Sequence, residues 1–307
     1  MKDVCVFIPC YNCDKYLEQT VNSLFNQSFQ EFDIVIVDDG STDTSYQIMK
    51  ELADRDSRVK VYRNEKNRGL GITRNLMFDY CKNYKYVALI DADDLAPENR
   101  LMIEYSYLQR HPEISCVVGV FQEINGKNEL GKIRDMGGYS HGEMQRSLVF
   151  WNPINNSSAM FRMNDLRVNK IKYKEKFFCA QDYMFYCELV QRCRIMKLPY
   201  ILSYYRVHEE NMTTISRKLR KKERDKLLDE IHSYMFKTSK IKMNPLERMI
   251  FMYGYRDTPL RSNLFKLIRL LTRIWYMEKH PEYKGLINAP VSGTMKSNAI
   301  KLECQQN

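Results

Sequence analysis

Val87-Ala88-Leu89-Ile90-Asp91-Ala92-Asp93-Asp94 decides the fold: a short apolar run that ends abruptly in three carboxylates. An apolar run without polar alternation predicts a strand covered on both faces, as in a parallel sheet. Short β-branched runs that read as strands lie at 4–8, 32–37, 59–62, 86–90 and 115–121, and a further one at 158–162. Helical periodicity fills the intervals at 14–26, 43–55, 71–82 and 97–110, several of these stretches opening on Asp, Ser or Thr. Strand and helix in alternation predict stacked β-α units, hence an α/β fold with a largely parallel sheet flanked by helices. Ligands of such sheets gather at the carboxyl ends of the strands. The polar clusters fall there: Pro9-Cys10-Tyr11-Asn12, Asp38-Asp39-Gly40-Ser41, 64–69 and Asp91-Ala92-Asp93-Asp94.

Further along, the Gly-rich stretch 126–147 predicts a loop or hairpin over the site, followed by a helix at 180–193 and a strand at 200–207. Beyond Ser216 the pattern is mainly helical. At 307 residues, 44% hydrophobic and 28% charged, the chain has the composition of a folded protein and not of a disordered one. It contains no apolar run of spanning length and opens without a secretory signature, so a cytoplasmic location is expected. Nine cysteines, an odd number with several inside apolar patterns, read as reduced and mostly buried thiols. The C-x-x-C spacing at Cys10 and Cys13 has no second pair to complete a zinc site.

Three carboxylates at a strand end offer hard oxygen ligands for Mg²⁺ or Mn²⁺, and such a cation can neutralise a departing diphosphate. Alone, a D-x-D is as compatible with a solvated turn that caps the following helix. Four motifs in order change that weighting: Phe7-Ile8-Pro9-Cys10-Tyr11-Asn12, Val35 to Asp43, Asn64 to Asn75, and Leu89 to Asp94. This series resembles the family-2 glycosyltransferases of the GT-A fold over roughly residues 3–210.

The resemblance implies an inverting enzyme that moves a sugar from a UDP-sugar donor to a hydroxyl acceptor, a glycan or lipid-linked saccharide. It implies that Pro9, Tyr11, Asn12 and Asp39 hold the nucleobase, with Asp38 beside them on a strand position that should face the other way. Asn67 and Arg74 would approach base and ribose, and Asp91 and Ala92 the ribose side of the diacid. Asp93, with Asp91 and His208, would hold Mn²⁺ or Mg²⁺, and the Arg206–His208 segment would approach the diphosphate or the metal. Asp182, in Ala180-Gln181-Asp182, matches the family's Glu-Asp motif and would be the catalytic base; Gln181 departs from it and removes a second carboxylate. Trp151 and Asn155 would border the acceptor.

Residues 1–215 carry 28 Lys+Arg against 29 Asp+Glu, whereas the remaining 92 carry 20 against 9. The sequence thus divides into a catalytic domain at 1–215, with a donor half to 120 and an acceptor half beyond, and a basic helical extension at 216–307. Within that extension, Lys266, Arg269 and Arg273 share one helical face of 264–277, opposite apolar residues. Fourteen residues make about 21 Å of helix, too short to cross a bilayer but suited to an anionic membrane surface. A helix packed on the catalytic domain fits the same pattern. This setting suits surface-polysaccharide or glycolipid assembly on the inner face of a membrane.

Three other classes compete. A nucleotidyltransferase would need a basic, Gly-rich triphosphate loop, which Cys10-Tyr11-Asn12-Cys13-Asp14-Lys15 is not. The near-neutral first 215 residues disfavour nucleic acid as a partner. A catalytically silent relative would bind donor only, and Gln181 keeps that reading open.

Overall fold

The computed structural model describes residues 2–209, 211 and 221–239. Its centre is β1 (Val4–Cys10), whose seven residues are all buried. The sequence offers no polar position along this strand, so both faces must be covered. β1 pairs in parallel with β2 (Phe32–Asp38) on one side and β4 (Tyr86–Leu89) on the other, and β2 pairs in parallel with β3 (Val59–Arg63). The order β3-β2-β1-β4 reverses direction between β1 and β4. That switch point is where an open α/β sheet places its ligand crevice.

The second half of the sheet departs from the parallel rule. Strand β7 (Met160–Arg162) runs antiparallel to β4 and to β5 (Cys116–Ile124), and β6 (Leu130–Arg134) folds back on β5 as a hairpin. Strand β8 (Ile195–Arg206) is longer than the sequence suggests because it follows β5 in parallel along most of its length. Where the two slip register near Val120, Gly119 leaves room for Leu202: a Cβ there would lie 2.4 Å from Leu202 Cγ.

Side chains alternate across the sheet and build two cores. Val6, Ile8, Ile34 and Ile36 meet α1 (Leu17–Phe25), α2 (Ser45–Arg55) and α5 (Arg100–Arg110) through Val21, Leu24, Met49, Leu101 and Leu108. Phe7, Val35, Val37 and Leu89 face the other side. Their partners come from α4 (Met77–Tyr80), α6 (His141–Phe150), α7 (Met163–Val168) and α8 (Gln181–Arg192). A last helix, α9 (Lys221–Thr238), adds Ile231, Met235 and Phe236 to this second core. No helix among the described residues is long and apolar enough to cross a membrane. The segment 264–277 lies outside the described residues, as do 216–220.

Two expectations are corrected. The stretch at 126–147 holds the β6 hairpin but then becomes helix α6. Its start carries a reciprocal capping box in which the Glu143 N–H donates to Ser140 Oγ and the Ser140 N–H to Glu143 Oε2. The helix expected at 71–82 is two short ones, α3 (Leu70–Asn75) and α4, which meet at Leu76. The eight cysteines among the described residues, Cys10 and Cys13 included, are free thiols.

Candidate active site

The carboxyl ends of β1, β2 and β3 are tied into one rim. Asn12, at φ 52°, donates its N–H to Ser41 Oγ at 3.0 Å and accepts from the Thr42 N–H at 2.9 Å through Oδ1. Tyr11 projects beside it, 43% exposed, while Pro9 stays buried in the sheet opposite Val37. Asp39 is the organiser. Its carboxylate accepts from Asn64 Nδ2 at 2.7 Å and from the Arg68 and Gly69 N–H groups at 3.0 and 2.9 Å. Asn67 Oδ1 accepts a second bond from the Gly69 N–H at 3.0 Å.

Asp38 points away, as its strand position implies. It is wholly buried, accepts from the Ser41 N–H at 2.9 Å, and has Arg63 Nε 2.9 Å from Oδ2 as an ion pair without hydrogen-bond alignment. Its place is in the support of the turn rather than in a donor pocket.

Gly40 closes this rim in the left-handed region, at φ +73°, where a Cβ would sit 2.6 Å from the Lys66 carbonyl carbon. Gly40→Ala is expected to destabilise by about 1–2 kcal/mol from backbone strain alone, with the clash in addition. A shift of the denaturation midpoint below that range would remove the case for a fixed turn here.

The diacid segment separates into three roles. Asp91 accepts from Arg74 Nη2 at 2.6 Å, and Arg74 is buried with its guanidinium 5.5 Å from the Tyr173 ring. Burial works against that guanidinium's charge, but Asp91, then Tyr173 and Asp182, hold it protonated. The Ala92 carbonyl accepts from Thr20 Oγ1 at 2.8 Å and so anchors the segment to α1. Asp94 is fully buried and accepts from the Arg206 N–H at 2.9 Å; burial, then the charges of Asp93 and Asp91, push its carboxyl well above the usual range.

Asp93 turns to the residues just past β8, where its Oδ2 lies 2.9 Å from His208 Nε2 and 3.3 Å from Asn211 Nδ2. One carboxylate oxygen and one imidazole nitrogen, both partly exposed, are a donor pair that Mn²⁺ or Mg²⁺ accepts. Asp91 does not join them, because Arg74 holds it. No set of three His, Cys, Asp or Glu residues converges among the described residues.

Arg206 is corrected outright. Instead of reaching toward a diphosphate, its guanidinium is buried and donates to the Asp93 carbonyl at 2.7 Å, the Asn125 carbonyl at 3.1 Å, Asn128 Oδ1 at 2.6 Å and Gln19 Oε1 at 3.2 Å. It also lies 4.5 Å from the Tyr16 ring, which packs on His208 at 5.1 Å.

Asp182 stands in the first turn of α8, preceded by Ala180 in the left-handed region at φ 53°. Such strain at a non-glycine residue needs surrounding structure to hold it. Its Oδ2 accepts from Asn152 Nδ2 at 3.0 Å. Burial raises the Asp182 carboxyl pKa, and Arg74 opposes that rise. Trp151, half-buried and packed against the core, and Asn155, whose Oδ1 accepts from Ser203 Oγ at 3.0 Å, occupy the segment between α6 and β7.

The sequence reading passed over Tyr173, Ser157 and Asn211. Ser157 Oγ accepts from the Asp91 N–H at 3.0 Å, and Tyr173 shares Asn156 Oδ1 with Tyr186. None carries a local signal, since each acts through a distant partner.

The geometry is thus a hydrogen-bonded rim at the strand ends, a diacid at the switch point and Asp182 beyond it at the head of α8. The model of the family described as glycosyl transferase family 2 matches residues 5–188, spanning all three. The chain belongs to glycosyl transferase family 2.

This glycosyltransferase is 27% identical over 220 residues to an uncharacterized glycosyltransferase of Haemophilus influenzae, covering 69% of this chain and 68% of that one. It is 26% identical over 252 residues to the chondroitin synthase of Escherichia coli. There the match covers 80% of this chain but 35% of the synthase, so the transferase spans about a third of that relative. Among solved structures, S. aureus TarS 1–349 in complex with UDP-GlcNAc superposes with a TM-score of 0.60 at 23% identity, covering 83% of this chain and 80% of that one. That likeness is one of fold.

Proposed function

We propose that this glycosyltransferase takes its sugar from a UDP-sugar and delivers it to a hydroxyl of a glycan or lipid-linked saccharide with inversion. The observation that carries the reading is the placement of Asp182, held by Asn152 at the head of α8 and within the electrostatic reach of the Arg74–Asp91 ion pair at the switch point. Asp182 takes the proton of the acceptor hydroxyl. The acceptor oxygen forms its bond to the anomeric carbon as the bond to the diphosphate breaks, and the electron pair leaves with UDP. Arg74 pairs with Asp91 and holds it aligned toward ribose. Tyr11, Asn12, Asp39 and Asn67 shape the base pocket.

Asp93 and His208 would hold Mn²⁺ or Mg²⁺ on the diphosphate side of the site. The cation supplies charge neutralisation on the leaving group. TarS bound to UDP-GlcNAc and the chondroitin synthase name support a UDP-sugar and a polysaccharide product. The donor half at 1–120, the acceptor half to 215 with Trp151 and Asn155, and the basic extension at 216–307 complete the proposal. The extension's 20 Lys+Arg against 9 acids support a place on the inner face of a membrane.

Calorimetric titration with UDP and Mn²⁺ tests it. UDP is expected to bind in a metal-dependent way, more tightly than GDP, and Asp93→Ala is expected to weaken binding by about tenfold or more, about 1.4 kcal/mol. Equal UDP binding by the variant in the presence of metal would remove Asp93 from the donor site.

A further inference from the structure

Asn152 is the residue across from Asp182 whose placement no motif explains. It leaves α6 in the extended segment Trp151-Asn152-Pro153 and returns its side chain to the head of α8. Two hydrogen bonds fix the amide. Oδ1 accepts from the Ile154 N–H at 3.1 Å, which assigns the oxygen end, and Nδ2 is thereby turned to donate to Asp182 Oδ2 at 3.0 Å. A side-chain amide locked by a backbone N–H cannot flip to offer its oxygen instead.

We propose that Asn152 is a positioning residue for the base: it holds one oxygen of the Asp182 carboxylate so that the other faces the acceptor hydroxyl. The role rests on Asp182 being the base. A donor on Oδ2 favours the ionised form and fixes the rotamer. Burial pulls in the opposite direction. Around the carboxylate stand Arg74 from α3, Asp91 from the end of β4 and Tyr173 from the loop before α8, with Tyr186 and Cys187 on its own helix. Arg74 is the cation of this set, and it is already engaged by Asp91. Asn152 therefore supplies a directed hydrogen bond that the ion-pair network does not.

The test titrates Asp182 directly. Infrared spectra are recorded against pH for the protein minus its Asp182→Asn variant, in the Asn152, Asn152→Ala and Asn152→Asp backgrounds. UDP release from UDP-N-acetylglucosamine, with water as acceptor, is followed in parallel. Asn152→Ala is expected to raise the Asp182 midpoint by about one pH unit, the tenfold that one hydrogen bond to a charged group is worth. Asn152→Asp keeps the shape and the Ile154 contact but sets a second carboxylate beside the base, so its midpoint should rise further than that of the Ala variant. A purely structural role predicts the reverse order, because Asp is the closer isostere. Turnover should fall about tenfold in Asn152→Ala with the donor KM unchanged.

Midpoints unmoved in both variants would overturn the positioning role while leaving Asp182 as base. Midpoints that move while Asp182→Asn releases UDP at the wild-type rate would overturn the base assignment, and with it the catalytic part of Asn152.

Discussion

Asp182→Asn is expected to leave folding and UDP binding intact and to lower sugar transfer by about 10²- to 10⁴-fold, the range that a positioned general base contributes. The amide fills the same space at the head of α8, so the second core keeps Tyr183, Phe185 and Leu189 in place. What it loses is the basic carboxylate oxygen that receives the acceptor proton. Burial raises the Asp182 pKa against the opposition of Arg74. The working carboxylate form is therefore present at high pH and is lost as pH falls through a value raised above that of an ordinary aspartate. The wild-type rate should decline on that acidic limb, and the variant's residual rate should show no such limb. Initial rates of UDP release across about pH 4 to about 8 measure both. Transfer by the variant within about threefold of wild type would exclude Asp182 as the base.

Arg206→Met should destabilise the fold by about 3–5 kcal/mol, since several buried neutral acceptors lose a charged donor at about 1–3 kcal/mol for each left unmade. Four oxygens, on Asp93, Asn125, Asn128 and Gln19, would lose their donor at once. Methionine restores apolar volume but none of those bonds, and a buried acceptor left unmade costs about 1–3 kcal/mol. Because the guanidinium joins α1, the diacid segment and the loop between β5 and β6, the variant should also weaken metal-dependent UDP binding. The clamp holds the Asp93 carbonyl and, through the Arg206 N–H, Asp94. Equilibrium urea unfolding gives the stability loss; a change below about 1 kcal/mol would show that water replaces the clamp.

How far the chain is legible without coordinates depends on the range of the interaction concerned. The central strands β1 and β4 are written in their apolar runs, since a strand covered on both faces favours apolar residues throughout, while β2 and the edge strand β3 keep the β-branched pattern with a few polar positions. The turn residues at its carboxyl ends are equally local, which is why Tyr11, Asn12, Asp39 and the diacid fall on one rim. Alternation along β2 also separates Asp38 from Asp39, and burial of Asp38 against Arg63 follows it. Helix α6 carried a readable signal too, in Ser140 and Glu143 three residues apart, but two preceding glycines masked it.

Arg206 shows the limit. Its neighbours in sequence place it beside His208, yet Arg206 is drawn inward by four acceptors from three separate segments while His208 turns to Asp93. Nothing within a helical turn or a strand pair encodes that choice. The pairing of Asp93 with His208 spans 115 positions, and that of Arg74 with Asp91 spans 17. The antiparallel β7, inserted between β4 and β5, brings the end of β8 back over the diacid.

By itself, the sequence determined the α/β class, the carboxyl-end rim and the residue types available there, because periodicity and turn chemistry act between near neighbours. The tertiary structure decided which of those carboxylates remain free to work. Asp91 is taken by Arg74, Asp94 by burial and Arg206, and Asp39 by its loop, whereas Asp93 meets His208 and Asp182 meets Asn152. Each assignment is a competition for hydrogen-bond partners in a low-dielectric interior, and its outcome depends on side chains that only the folded chain brings within 3 Å or so of one another.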